Sequence, residues 1–116
     1  MSVAALDDRL APLQTLCRGE PSVRTESGVT YVVLPGLRFT SAGAEQEING
    51  VLVPQQVPEL GGYTTRLLLE SKPPKPELNW TMVSVLGRQW NTWSWNNIPG
   101  SWPWVEILAA HLKALA

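Results

Sequence analysis

The chain has 116 residues, 44% of them apolar, and nine basic residues stand against ten acidic ones for a formal net charge of −1. That length suits one domain, residues 1–116, with a core of its own. A near-neutral balance gives no long-range field to steer phosphates, so nucleic acid is not an expected partner. Cys17 is the single cysteine and His111 the single histidine. No internal disulfide can form, a reducing cytoplasmic setting is the expectation, and the common structural zinc sites are excluded by count. No apolar run approaches the ~20 residues of a membrane span. The opening MSVAALDDRL has two early acids and no basic stretch of the kind a signal peptide begins with.

Leu6, Leu10, Leu13 and Cys17 recur at helical spacing, which predicts an amphipathic helix over residues 3–18. Pro12 removes a backbone donor and crowds the preceding turn, so the segment divides into two short pieces, the second starting near Pro12. Gly19 and Pro21 stop it. Residues 22–26 and 29–34 flank Ser27-Gly28 as a hairpin, and Pro35-Gly36 breaks the second strand. Further strands are expected at 37–41 and 48–53 around a loop at 42–47. Gly61-Gly62 is a turn. Residues 63–70 are the best single strand, and the run Leu67-Leu68-Leu69 suggests burial on both faces. Lys72 to Pro76 read KPPKP, a stiff connector or, alternatively, a docking segment for an aromatic groove. Trp80, Met82 and Ser84 then alternate with Thr81, Val83 and Val85 as a two-faced strand.

A loop over residues 91–101 leads to a closing helix, with Ser101 as its cap and Pro103 in its first turn. Its apolar stripe is Trp104, Ile107, Leu108, Leu112 and Leu115. The order helix, strands in series, helix predicts an α+β fold with an antiparallel sheet or meander flanked by an N-terminal and a C-terminal helix.

Five of the six tryptophans fall within residues 90–104: Trp90, Trp93, Trp95, Trp102 and Trp104. Three readings compete. Some rings build the core beneath the final helix; others form a hot-spot surface for a protein partner; or they make a stacking platform for a sugar or a base. Trp104, on the helix stripe, reads as core. The candidate partner-binding residues are Trp93, Trp95, Asn96, Asn97 and Trp102, because amides beside large rings suit a partner-binding surface. No catalytic residue, metal ligand or cofactor site is assigned. His111 lacks an evident orienting partner for general base work. Cys17 sits at an apolar helical position where a thiol is commonly inert. The acid pairs Asp7-Asp8 and Glu45/Glu47 suit a first helical turn and a polar loop. Neither a phosphate-binding glycine loop nor a Gly-x-Ser-x-Gly elbow occurs.

Residues 86–115 read LGRQWNTWSWNNIPGSWPWVEILAAHLKAL. With Trp90, Trp93 and Ser94 forming a Trp-x-x-Trp-Ser step, and Pro99, Gly100 and Trp102 following before a closing helix, this segment resembles the bacterial family E branch of the ubiquitin-conjugating-enzyme-like (UBC-like) superfamily. Residues 31–36 and 63–70 fit the sheet strands of that fold. The sequence departs from the group at Trp95 and Asn96, where a basic residue and a histidine are usual. It has no cysteine after the third or fourth strand to carry a thioester, and Cys17 lies in the first helix. The resemblance therefore implies a UBC-like, non-thioester component of a bacterial ubiquitin-like modification or antiviral defence system. The partners it implies are a ubiquitin-like protein or its activating enzyme, with a metallopeptidase encoded nearby. The alternatives are a general interaction domain unrelated to conjugation and a Trp-lined small-ligand or carbohydrate module.

Overall fold

Three pairs of residues, Ser27-Gly28, Ala42-Gly43 and Leu86-Gly87, all take positive φ. Two such residues in succession give a turn whose twist matches that of paired strands, and each pair closes a hairpin. The computed structural model describes residues 8–93 and 98–116. Its strands are β1 (Ser22–Glu26), β2 (Val29–Ser41), β3 (Ala44–Val53), β4 (Arg66–Leu69), β5 (Trp80–Val85) and β6 (Arg88–Trp93). They form one antiparallel sheet in the order β1-β2-β3-β4-β6-β5. The α+β expectation holds at this level: two helical segments, α1 (Ala11–Gln14) and α2 (Trp104–Leu112), flank an antiparallel sheet.

Several boundaries differ from the sequence reading. Pro35-Gly36 does not end β2. Leu34 pairs with Gly50 and Leu37 with Ile48, so two residues of β2 oppose Asn49 alone in a bulge. The bulge receives the chain leaving α1. Arg18 N–H donates to Gly36 O (2.9 Å), Gly19 N–H to Pro35 O (3.0 Å) and Arg38 N–H to Leu16 O (2.7 Å). Asn49 Oδ1 accepts from Gly36 N–H (2.7 Å). Gly36 has φ 63°, and a Cβ there would stand 2.8 Å from that of Arg18, so no other residue fits this close approach. The expected 42–47 loop shrinks to Ala42-Gly43. At the N-terminus a 3₁₀ turn (Asp8–Leu10) runs into α1, with Pro12 in the first turn as expected; residues 3–7 of the predicted helix lie outside the described residues. Pro103, not Ser101, is the N-cap of α2, and no side chain caps it. Residues 91–93 of the predicted 91–101 loop belong to β6, which runs to Trp93.

The sheet has a core on each face. On one, α1 and α2 cover Val32, Leu34, Leu52, Leu67 and Leu69, with Trp93, Trp104, Ile107, Leu108 and Leu115 filling the space. On the other, Val57 and Leu60 of the segment between β3 and β4 cover Tyr31, Val51, Val53, Leu68, Val85 and Trp90. Every residue of β4 is buried, as its continuous apolar run predicts. Arg66 is buried too: its guanidinium donates to Leu60 O and to Trp93 O (2.9 Å) and stacks on Tyr63, holding the covering segment in place.

The seam between β4 and β6 is narrow. Among the described residues, only Leu69 and Asn91 pair across it. Side chains supply further bonds to the β4 side: Thr92 Oγ1 donates to Leu67 O (2.9 Å), and Asn91 Nδ2 donates to Leu69 O (3.4 Å) and Glu70 O (3.2 Å). These bonds explain why Asn91 and Thr92 are buried polar residues.

Trp104 is buried under Arg9, whose guanidinium lies 3.8 Å from the ring centroid. Trp104→Ala should lower the unfolding free energy by ~3–5 kcal/mol, the usual cost of deleting a fully buried indole. Urea denaturation measures it, and an unchanged midpoint would contradict the packing described.

Candidate functional site

The turn over residues 98–102 is sewn to the sheet. Ile98 O accepts from Thr64 Oγ1 (2.7 Å) and from Thr65 Oγ1 (3.0 Å). Trp102 N–H donates to Pro99 O (3.3 Å). Gly100 lies so close to Pro54 that a Cβ would meet its carbonyl oxygen at 2.7 Å. Thr65 Oγ1 also lies 2.9 Å from His111 Nε2. Ile98 O can only accept, so the Thr65 hydroxyl donates to it and must accept from His111. The imidazole is therefore the Nε2–H tautomer, and a single chain of bonds joins α2, the start of β4 and the turn.

The fixed turn presents Trp102, 43% exposed. Below it lies an open groove of about 740 Å³, lined by Leu16, Ile98, Trp102, Val105, Ala109 and Leu112 with Lys113 at its rim. Leu16 comes from the end of α1, and Val105, Ala109 and Leu112 from the outer side of α2. The groove is aliphatic with one large ring, and it offers little hydrogen bonding to a sugar.

The structure separates the sequence-predicted site residues. Trp102 is exposed in the groove. Trp93 is not a surface residue: it is 3% exposed, at the end of β6, where its ring packs against Trp80 (centroids 5.2 Å apart) and meets His111 edge-on (6.3 Å). Strand alternation turns Trp93 toward the helices, and that overrides its expected place on the binding loop. Trp95, Asn96 and Asn97 lie outside the described residues. Trp90 is buried on the opposite face, and Trp80 is held by its indole N–H on Lys75 O (2.8 Å).

His111 falls four residues after Ile107 and three after Leu108, so the helical stripe itself was the signal that it is buried. Burial, aided by the positive charge of Arg66, pushes its imidazole down to about 4. It is neutral at pH 7 and structural in its bonding. Burial pushes the Cys17 thiol up to about 11, with Arg38 pulling weakly the other way. At pH 7 the thiolate fraction is then on the order of 10⁻⁴.

A second, polar cleft of about 690 Å³ lies beside the β2 bulge, lined by Arg18, Gly36, Glu47, Asn49 and Glu70 among others. Its groups satisfy one another: Arg18 with Glu47 (3.3 Å), Asn49 Nδ2 with Glu70 Oε1 (2.6 Å) and Arg88 with Glu70 Oε2 (3.0 Å). Among the described residues, no group of three or more His, Cys, Asp or Glu side chains is placed to hold a metal ion. No described helix is long and apolar enough to cross a membrane. Comparison with protein-family models, curated proteins and solved structures finds no match to the chain.

His111 ties stability to pH. Its proton binds near pH 4 in the folded chain and near 6.5 in the unfolded one, so between these values the unfolded state holds more protons. The stabilisation is complete above pH ~6.5 and is lost as pH falls toward 4, on the order of 3 kcal/mol in all. His111→Gln, which keeps a neutral donor, should flatten the pH dependence of the unfolding free energy over that window. A slope equal to that of the unaltered chain would show that His111 does not cause it.

Proposed function

We propose that the chain is a UBC-like, non-thioester component of a bacterial ubiquitin-like modification or defence system, acting by protein–protein contact through the groove at Trp102. The observation that carries the binding role is the half-exposed indole on a rigidly bonded turn above an aliphatic trough. A large ring held in place loses little entropy on docking, and such rings dominate binding energies. The conjugation context rests on the Trp-x-x-Trp-Ser resemblance and on the order of helix, meander, Trp-rich crossover and helix. The buried, weakly acidic Cys17 suits a member that carries no thioester, since that bond needs an accessible thiolate. A ubiquitin-like protein or its activating enzyme is the partner this reading assigns to the groove. A general interaction domain outside conjugation would use the same surface.

Trp102→Ala should weaken binding to the ubiquitin-like protein or the activating enzyme encoded beside this chain by more than ~1 kcal/mol, because an anchoring ring is removed. The melting temperature should move by only a few degrees, since the ring is half exposed. Calorimetry beside a melting curve reads both. Unchanged affinity for both proteins would remove the groove from the proposal. Binding by neither, even with the unaltered chain, would remove conjugation from it.

Cys17→Ser should leave cellular activity nearly intact at a modest cost in packing. Loss of activity in a variant that still folds would restore a thiol mechanism.

A further inference from the structure

The sheet has two outer edges, and the sequence treats them differently. β1 reads Ser22-Val23-Arg24-Thr25-Glu26, exposed throughout and charged at its middle and end. β5 reads Trp80-Thr81-Met82-Val83-Ser84-Val85, with no charge, no proline and an unbroken register against β6. Charges, prolines and bulges are the usual guards of a sheet edge against pairing with another strand. β5 carries none of them.

We infer that β5 is a self-association edge, through which two copies of this chain pair antiparallel into one sheet of twice the width. The bonding pattern carries the inference. Leu86 and Gly87 form a two-residue turn with φ 54° and 77°, so the closing pair Val85 and Arg88 exchanges both backbone bonds. Bonding alternates along an antiparallel pair. Val83 and Thr81 therefore also face β6, while Met82 and Ser84 turn their N–H and C=O groups to the free edge. Trp80 turns out its C=O only, because its N–H is bonded to Leu78 O at 2.9 Å.

A two-fold axis perpendicular to the sheet at Met82 satisfies this set. Met82 exchanges both bonds with the same residue of the second copy. Each Ser84 N–H reaches the Trp80 C=O opposite, and the engaged Trp80 N–H ends the ladder there. The side chains agree. Met82 is 55% exposed, the most open large apolar side chain among the described residues. It points to the helix face, as its pairing with Asn91 requires. At the axis it meets its own copy, and Thr81 meets Val83 on the other face. No like charges oppose one another. Self-pairing of β1 about its centre would set Arg24 against Arg24, which disfavours it. The doubled sheet then ends on two guarded β1 edges, so the assembly closes as a dimer and does not grow into a fibre. An edge contact of this length is small, so association is weak and depends on concentration.

Analytical ultracentrifugation of the full chain from about 1 µM to about 1 mM brackets affinities typical of such contacts. The expected result is a shift from monomer to dimer with rising concentration. Met82→Lys places two ammonium groups across the axis and should weaken association at least tenfold at an unchanged melting temperature. In a Cys17→Ser background, Met82→Cys should give a disulfide-linked dimer under mild oxidation, and Val23→Cys on β1 should not. A chain that stays monomeric throughout overturns the inference. So does a dimer that Met82→Lys leaves intact, or cross-linking through Val23→Cys as readily as through Met82→Cys.

Discussion

The structure depends on a four-residue strand that has no solvent side. Arg66, Leu67, Leu68 and Leu69 are all buried, and a strand buried on both faces requires a cover above and below. Leu67 and Leu69 face the helices; Leu68 faces the segment that carries Val57 and Leu60. The rest of the arrangement answers that requirement. Helices alone would leave Leu68, Val51 and Val53 against water, so the β3–β4 connection must fold back as a lid. Arg66 serves this lid through the carbonyl oxygens of Leu60 and Trp93, which accept from its guanidinium. Burial lowers its pKa, yet a guanidinium keeps its proton under ordinary conditions, so the bonds to both layers persist across the working pH range.

The same strand positions the groove. Thr64 and Thr65 precede β4 and hold Ile98 O, and His111 reaches Thr65 from α2. The exposed ring of Trp102 is thus an outward extension of the most buried part of the molecule. Its surroundings are set by bonds between segments distant in sequence, and a change at His111 or Thr65 reaches the groove without touching its surface.

Much of the fold was legible because it is written in local chemistry. Ser27-Gly28 between two strand-forming runs marks a hairpin. An uninterrupted Leu67-Leu68-Leu69 marks a doubly buried strand, and KPPKP marks a connector. What escaped was written in contacts between distant segments. Pro35-Gly36 looks like a break; the chain leaving α1 supplies the partners that let β2 continue through a bulge. The end of β6 lay within the expected 91–101 loop; the carbonyl oxygens along β4, which accept from Asn91 and Thr92, explain the burial of these polar residues. Trp93 was assigned to a surface on composition, and strand alternation turned it inward. The groove required Leu16 and α2 to be neighbours, which no periodicity within either helix reveals. The exposure of Trp102 could be anticipated, since it precedes the helix stripe and does not belong to it.

The seam between β4 and β6 has a dynamic consequence. Among the described residues, one backbone pair and a few side-chain bonds join the β5–β6 hairpin to the remaining strands, whereas β2 and β3 share a long ladder. Backbone amides that exchange with solvent through partial opening report such differences in cooperativity. Opening the hairpin would break few of the described ladder bonds but would uncover Trp90 and Trp93, so burial of the two indole rings is expected to set the cost of opening more than the ladder does. Its amides are therefore expected to exchange faster than those of β2 and β3. Among the described residues the sheet is joined here chiefly through side chains, so its architecture is that of a four-stranded platform carrying a docked ribbon.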